Sequence, residues 1–210
     1  MMTGTLFDTL RELNLSWFAA INANAGLDGW QLAGALFAAE RVILLAPLAL
    51  VVLWLTGRRG ARQAAVEAAL AVLCGLTVSG AIGALWFHDR PFAAGIGQCF
   101  LEHAPTSSFP SNHGTIMLVT ALMLATSAAP LARRWGLVLL PLAVLVAWSR
   151  VFIGVHWPMD MLGAMVLAVG LVAVFRLHLL TALSATVTRW AVAAYRRLLA
   201  PLIDRGWLRP

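Results

Sequence analysis

The chain has 210 residues, of which 61% are hydrophobic and only 11% are charged, whereas soluble globular domains carry about 25% charged residues. Too little polar sequence remains for a separate soluble module, and the composition predicts one all-α domain over residues 1–210, a polytopic bundle of transmembrane helices. The net charge of +6 comes from 15 basic residues, all of them arginine, and in such a chain it indicates membrane topology and anionic lipid rather than nucleic acid.

The N-terminal stretch "LFDTLRELNLSWFAAINANAG" is short and amphipathic, which predicts a helix lying in the membrane interface rather than spanning it. It lacks the basic start and apolar run of a cleavable signal. Asp28-Gly29 then predicts a helix start. Five spans are predicted after it, at residues 31–56, 63–86, 111–130, 135–152 and 158–177. With the N-terminal segment, this makes five to six membrane-embedded helices.

The connections between the spans are polar. Residues 57–62 predict a short basic loop, residues 87–110 a long loop, and residues 132–134 a tight turn. The remainder, 178–210, is amphipathic and rich in arginine, which predicts an interfacial helix and a tail. Two cysteines, Cys74 and Cys99, are predicted to lie too far apart for a disulfide, which leaves two free thiols.

The arginines predict the orientation of the bundle. Eleven of the 15 fall on the side that holds loop 57–62, turn 132–134 and the C-terminal tail. The positive-inside rule makes that side cytoplasmic. The protein is therefore predicted to be a multi-pass protein with a cytoplasmic C-terminus, and loop 87–110 is predicted to face outwards.

Three polar clusters reach the predicted outer face. They are "HDRP" at 88–91, "FPSNHGT" at 109–115, and the two ends of "SRVFIGVHWPMD" at 149–160. Ionisable residues at the ends of membrane helices are expensive and are typical of functional sites. Three clusters that converge on one membrane surface predict a single site.

The residue types in these clusters suit phosphate chemistry. Ser111 precedes an apolar helix and is a plausible cap, and a helix N-terminus favours anions. Arg90 and Arg150 provide planar donors that match phosphate oxygens. Two histidines, His113 and His156, are predicted to lie nearby.

Asp160 lies four residues after His156, a spacing at which a carboxylate accepts from one imidazole nitrogen and leaves the other free. Each residue alone also has a plain interpretation, such as a capping serine, an arginine that reaches lipid headgroups, or a hydrogen-bonding histidine. The convergence of all three clusters favours the functional one.

The motifs "RP", "PSNH" and "SR-x5-H-x3-D" resemble the three signature motifs of the type-2 phosphatidic-acid phosphatase superfamily, which includes bacterial lipid phosphatases and vanadium haloperoxidases. The resemblance in these motifs covers about residues 83–160. The flanks "LWFHDRPF", "SSFPSNHGT" and "WSRVFIGVHWPMDMLG" look in particular like undecaprenyl-pyrophosphate phosphatases of the bacterial inner membrane, enzymes of peptidoglycan synthesis and bacitracin resistance. Length and hydrophobic pattern are similar over nearly the whole chain.

The resemblance implies a role for each matching residue. His156 would be the nucleophile that forms a phosphohistidine, Asp160 would orient it, and His113 would protonate the leaving lipid phosphate. The phosphate would be held by Arg90, Ser111, Arg150 and the backbone near Gly114. The implied enzyme uses no metal and no cofactor, and it hydrolyses a polyprenyl pyrophosphate lipid to the monophosphate at the periplasmic face of the bilayer.

One position departs from the family pattern, because the lysine that begins the first motif is replaced by Gly83. His88 and Arg41 are the candidates to supply the missing contact. Glu40 and Arg41 lie inside an apolar span, where ionisable residues are typical of functional sites, so both are possible accessory residues. The alternative is that they pair with each other or contact lipid. Glu102 and His103 are interpreted mainly as solvated loop residues, with a contact to the distal phosphate as the alternative.

Other functions remain open at this point. The same chemistry would serve phosphatidylglycerophosphate, phosphatidate or a lipid A phosphate. A small lipid transporter is the alternative from another class, although such proteins favour mid-membrane charges and internal repeats, which this sequence lacks.

Overall fold

The computed structural model describes residues 6–210. Over that range the chain is helical, without a strand, which confirms the prediction of an all-α bundle. The helices follow in chain order as α1 Leu6–Ile21, α2 Gly29–Glu40, α3 Leu45–Leu55, α4 Arg59–Leu85, α5 Asn112–Ala125, α6 Pro130–Phe152, α7 Pro158–Phe175, α8 His178–Leu198 and α9 Ala200–Asp204.

Four helical segments are long and apolar enough to cross a bilayer, namely Gly29–Leu55, Arg59–Leu85, Pro130–Phe152 and Pro158–Phe175. The remaining apolar helix, α5, has only 14 residues, or about 21 Å of helix. The predicted third span over 111–130 is therefore too long, because the helix ends at Ala125. α5 packs against α4, α6 and α7, and most of its residues are buried, so it forms the centre of the bundle.

The first predicted span, 31–56, is not one continuous helix. It begins at Gly29 after Asp28, as predicted, but α2 ends at Glu40 and a 3₁₀ turn, Val42–Leu44, leads into α3. Pro47 explains the break, because its nitrogen has no hydrogen to donate to the carbonyl of Ile43 and its ring crowds that carbonyl. The break places Glu40 and Arg41 at a helix end inside the membrane segment.

Two connections predicted from their charge are largely helical. α4 already begins at Arg59, so only Gly57 and Arg58 separate its first turn from Thr56. Gly57 turns the chain with a φ of +72°, a value that glycine adopts without steric cost. The predicted turn at 132–134 lies within α6, which begins at Pro130, a residue type favoured at the first helical position.

α1 lies against the ends of α6 and α7. Its Phe18 is buried and packs on Trp157, with the ring centroids 4.9 Å apart, and burying such a side chain contributes roughly 1.5–3 kcal/mol. Asn14 accepts a hydrogen bond from the Met159 N–H at 3.0 Å. Asn22 donates to the carbonyl oxygens of Gln98 and Phe152. These contacts hold α1 beside the start of α7.

α1 exposes both charged side chains, among them Arg11 and Glu12, and a set of large apolar ones, which are Leu6, Phe7, Leu10, Leu13 and Trp17. This distribution agrees with the predicted interfacial helix. The two cysteines, Cys74 and Cys99, are both free and exposed, as predicted.

A buried histidine and arginine site at one end of the bundle

The start of α7 positions His156 and Asp160. Trp157 is the N-cap residue, Pro158 opens the helix, and Asp160 is the third helical residue. From there Asp160 Oδ2 reaches back to the Trp157 N–H at 2.8 Å, half of a capping box. The same oxygen lies 3.0 Å from His156 Nδ1. The cap thus locks the carboxylate against the imidazole, as the spacing predicts.

Ser108 completes the surroundings of this pair, and the sequence analysis missed it. The side chain is fully buried, and its hydroxyl donates a hydrogen bond to Asp160 Oδ2 and lies 3.4 Å from His156 Nδ1. Its N–H donates to the His88 carbonyl at 2.7 Å, which ties the first and second motifs together. Only the position of Ser108 within "SSFPSNH", two residues before the proline, could have suggested a role.

Arg90 faces the other nitrogen of the imidazole. Its Nη1 lies 3.2 Å from His156 Nε2 and donates to the Val155 carbonyl at 2.9 Å. Nε donates to the Thr106 carbonyl at 3.0 Å, and Nη2 reaches Thr106 Oγ1 and the Ser107 carbonyl. These bonds make Nδ1 the protonated nitrogen and Nε2 the acceptor, because Nδ1 faces a carboxylate and Nε2 faces a guanidinium.

Burial controls the protonation of these groups. His156 is 2% exposed, and burial lowers its pKa to about 4 even though the hydrogen bond and charge of Asp160 oppose the shift. Burial also lowers the pKa of Arg90, against the opposing charge of Asp160. The imidazole is therefore neutral at pH 7, with a lone pair on Nε2.

Arg150 is the least satisfied group of the site. The residue is 1% exposed, and its Nε and Nη2 atoms have no hydrogen-bond partner among the described residues. A buried cation without hydrogen-bonding partners is costly unless it meets an anion. The guanidinium geometry fits the oxygens of a phosphate group.

The start of α5 adds a helix N-terminus and a second histidine. Ser111 is the predicted N-cap, and its hydroxyl accepts from the Gly114 N–H at 3.2 Å. His113 is half-buried. It lies close enough to four other basic side chains for their charges to interact with it, namely Arg150, His156, His103 and Arg90. The structure thus brings together Ser111, His113, Arg90, Arg150, His156 and Asp160.

Gly114 serves a packing purpose in this arrangement. Its N–H is used by the Ser111 cap, and an added Cβ would lie 3.0 Å from the Ala164 Cβ and 3.3 Å from the Met161 sulfur. The residue lets α5 approach α7 closely, and it does so without presenting a free N–H to the site.

The predicted accessory residues do not join the cluster equally. The His88 ring lies beside Trp86, with the ring centroids 5.6 Å apart. The His88 backbone N–H donates to the Ser107 hydroxyl, just before the second motif. Glu40 is close enough to Arg150 for their charges to interact, although its side chain is exposed. Arg41 is exposed, and within residues 6–210 its guanidinium makes neither an ion pair nor a hydrogen bond. A Glu40–Arg41 ion pair is thus not among the described contacts, and the alternative of a lipid contact stays a prediction.

Gly83 lies in the last turn of α4 and faces the loop before α5. An added Cβ would lie 3.1 Å from the Ser107 Cβ and 3.3 Å from its hydroxyl oxygen. The Ser107 carbonyl accepts from Arg90, so the loop fills the space at this position and holds the guanidinium. A long side chain at position 83 would displace that loop.

His103 lies closer to the site than the solvated-loop interpretation implied. It is half-buried, its ring centroid is 6.4 Å from that of Phe92, and its Nδ1 lies 2.8 Å from the Ala104 carbonyl. Burial lowers its pKa, and the charges of Arg90 and Arg150 add to that effect. Its place depends on the fold of loop 87–110, for which the sequence carried no local signal.

Taken together, these side chains form a buried basic cluster around a neutral histidine whose Nε2 lone pair faces the Arg90 guanidinium. Among residues 6–210 no group of three histidine, cysteine, aspartate or glutamate side chains is placed to hold a metal ion. A buried basic cluster with a histidine, at one end of an apolar helical bundle, is the kind of site expected of a membrane-embedded phosphatase.

Comparison with known proteins gives the family. Residues 64–193 match the model of the PAP2 superfamily. The chain is 41% identical over 202 residues to YbjG of Escherichia coli (strain K12), a protein provisionally named as an undecaprenyl-diphosphatase, covering 95% of this chain and 99% of that protein. The chain belongs to the PAP2 superfamily, and it is a phosphatase of that family.

A second relative is the undecaprenyl-diphosphatase BcrC of Bacillus subtilis (strain 168). The identity is 34% over 137 residues, covering 63% of this chain and 67% of that protein.

Solved structures share the fold. LpxE of Aquifex aeolicus superposes with a TM-score of 0.59 at 20% identity, covering 77% of this chain and 93% of that one. A PAP2-type phosphatidylglycerolphosphate phosphatase from Bacillus subtilis gives 0.59 at 20% identity, covering 80% and 86%. At this identity the similarity concerns the fold alone.

Proposed function

We propose that this protein hydrolyses undecaprenyl pyrophosphate, or a closely similar polyprenyl pyrophosphate, to the monophosphate and inorganic phosphate. The observation that carries the proposal is the buried Arg150 guanidinium, whose Nε and Nη2 have no partner in the described chain and which is close enough to His156 for its charge to act on the imidazole. The relatives named as undecaprenyl-diphosphatases support the choice of lipid, since one of them aligns with nearly the whole chain.

The reaction begins with attack of His156 Nε2 on the terminal phosphorus. An N–P bond forms, and the bond from phosphorus to the bridging oxygen breaks. His113 donates a proton to that leaving oxygen, which departs with the lipid monophosphate. Asp160 holds the Nδ1–H and stabilises the positive charge that develops on the ring.

Water completes the cycle. His113, now neutral, accepts a proton from a water molecule that attacks the phosphorus, and the N–P bond breaks to release inorganic phosphate and regenerate His156. Arg90 and Arg150 bind the phosphoryl oxygens throughout. For this, Arg90 Nη1 exchanges its contact with Nε2 for a phosphate oxygen.

The site lies at the end of the bundle opposite the arginine-rich end. By the positive-inside rule we place the arginine-rich end in the cytoplasm of a bacterial inner membrane and the site at its periplasmic face. The monophosphate released there is the carrier lipid of peptidoglycan synthesis.

The test is phosphate release from undecaprenyl pyrophosphate by the purified protein in detergent with EDTA. His156→Ala is expected to lower the rate by at least about 1000-fold, because the nucleophile is lost. His178→Ala is the matched control, since that histidine is exposed at the start of α8, and it is expected to retain the wild-type rate. Comparable rates in the two variants would rule the proposal out.

A substrate panel tests the lipid. Undecaprenyl pyrophosphate is expected to give a higher kcat/KM than phosphatidylglycerophosphate, phosphatidate or a lipid A phosphate. The opposite ranking would leave the proposed reaction mechanism in place and would assign a different lipid as the substrate.

A further inference from the structure

A large cleft lies at the other end of α4 from the histidine site. It has a volume of about 1090 Å³ and lies between the first turn of α4 and the C-terminal half of α8. Because α4 has 27 residues, the end that carries the cleft and the end that carries Gly83 are about 40 Å apart. Five arginines line it, which are Arg59, Arg62, Arg189, Arg196 and Arg197. We call this feature the arginine cleft.

The charge of the arginine cleft is not balanced by carboxylates. No aspartate or glutamate is among the described residues that line it. The two ion pairs within residues 6–210 join His156 to Asp160 and Arg176 to Glu67, so neither involves a cleft arginine. Four of the five cleft arginines are also exposed; only Arg62 is buried. The cleft is therefore suited to an anion.

The walls of the cleft are held in place. Arg62 donates to the carbonyl oxygens of Trp54 and Arg209, each at 2.9 Å, and its guanidinium carbon lies 5.2 Å from the Trp54 ring centroid and 4.8 Å from that of Tyr195. Gln63 donates to Ser184 Oγ at 3.1 Å, which links α4 to α8. Because α4 and α8 are already fixed relative to each other, little conformational entropy of these helices is lost when the cleft binds a ligand.

The amphipathic pattern of α8 favours a position of the cleft at the level of the phospholipid phosphates. α8 has a helical stripe of exposed apolar side chains, Leu179, Leu183, Val187, Trp190 and Leu198. Such a helix places its apolar face at the boundary between headgroups and acyl chains, with its basic face at the headgroups. The cleft also has an apolar wall, formed by Ala185, Val192 and Ala193, which suits the upper part of an acyl chain.

We propose that the arginine cleft binds one anionic phospholipid of the leaflet opposite the histidine site. Exposed guanidinium groups bind the phosphate, and the acyl chain follows the apolar wall. Basic pockets of this kind bind anionic headgroups in other membrane proteins. The proposal does not depend on which lipid phosphate the histidine site hydrolyses.

The experiment compares two double variants by native mass spectrometry from detergent with added phosphatidylglycerol or phosphatidylcholine. Arg196→Gln with Arg197→Gln removes two charges from the cleft. Arg133→Gln with Arg134→Gln is the matched control, because both arginines are exposed on α6 and neither lines the cleft. We expect the wild-type protein and the control to retain one phosphatidylglycerol molecule, and the cleft variant to bind it at least tenfold more weakly.

Two further arms identify the ligand. Phosphatidylcholine is expected to bind at least tenfold more weakly than phosphatidylglycerol, and inorganic phosphate at equal concentration is expected not to displace the lipid. Equal loss of phosphatidylglycerol from both double variants would overturn the proposal, as would equal binding of the two lipids. Displacement by inorganic phosphate would assign the cleft to a free anion and so also contradict it. Arg189→Gln is a second, milder variant with the same expected direction.

Discussion

At the scale of single residues, the surroundings of the His156 imidazole are built from several parts of the chain. Asp160 lies only four residues further along the chain, but Arg90 and Ser108 come from the loop between α4 and α5. The carboxylate carries hydrogen bonds from both Ser108 and Trp157, so its position does not depend on His156 alone. We therefore propose that Ser108 is a positioning residue that acts through Asp160.

We expect Ser108→Ala to lower kcat by about 10- to 100-fold with little change in KM, the usual range for removing an outer partner of a reacting group. Loss of the donor leaves more negative charge on Asp160, so the pKa of His156 is expected to rise above its value of about 4. ¹⁵N NMR titration of the histidine ring in detergent measures this change, with the signal assigned by its loss in His156→Gln.

Ser107→Ala is the matched control for Ser108. Within the described part of the chain, the Ser107 hydroxyl has one hydrogen bond, accepted from the His88 N–H at 3.2 Å, so this variant is expected to leave the His156 titration unchanged. A wild-type kcat and an unshifted titration in Ser108→Ala would show that the serine merely fills space.

At the scale of helices, the short central helix α5 is held by a very close approach to α6. A Cβ added at Gly136 would overlap the backbone nitrogen and Cα of Ala125. Backbone atoms cannot move aside as a flexible side chain does, so any side chain at this position must separate the two helices. This contact sets the depth at which α5 presents Ser111 and His113.

Gly136→Ala is expected to destabilise the protein by more than the 1–3 kcal/mol typical of overpacking in a core. Gly170→Ala is the matched control, because Gly170 lies in α7 with no atom within 4 Å of the added Cβ, and helix propensity alone predicts a gain of up to about 1 kcal/mol. Thermal unfolding in detergent measures both. Equal unfolding midpoints for the two variants would contradict the close packing of α5 on α6.

The sequence predicted those parts of the helices and the site that depend on local spacing. His156 and Asp160 lie four residues apart at a helix start, and Ser111 caps the helix it precedes, so both were predictable. The break in the first span follows from Pro47, a local signal that the prediction from apolar composition did not use. Ser108 was not predicted, and His103 was predicted only as an alternative, because both reach the site only through the fold of a long loop.

At the scale of the whole molecule, the two ends of the bundle differ in chemistry. The histidine site is buried among loop 87–110 and the starts of α5 and α7, and the opposite end carries the arginine cleft. Native Cys99 lies exposed in that loop, and Cys74 is exposed on α4, within a membrane-spanning segment. A single native thiol therefore reports which face of the membrane the site occupies.

In a Cys74→Ala background, a membrane-impermeant maleimide is expected to label Cys99 in intact cells with a permeable outer envelope. The control is Asp204→Cys in a chain that also carries Cys74→Ala and Cys99→Ala. Asp204 is exposed at the end of α9. The introduced cysteine is expected to react only after lysis, because positive-inside topology puts it in the cytoplasm. The reverse labelling pattern would invert the orientation.

The most direct test of the mechanism is to look for the covalent intermediate on His156. Undecaprenyl pyrophosphate carrying ³²P in its terminal phosphate is mixed with the protein and quenched in alkali within milliseconds, and the peptide containing His156 is isolated. We predict base-stable, acid-labile label on that peptide, formed at a rate no slower than turnover and absent from His156→Ala. Turnover of the labelled lipid with no phosphate on His156 at any time would contradict the mechanism.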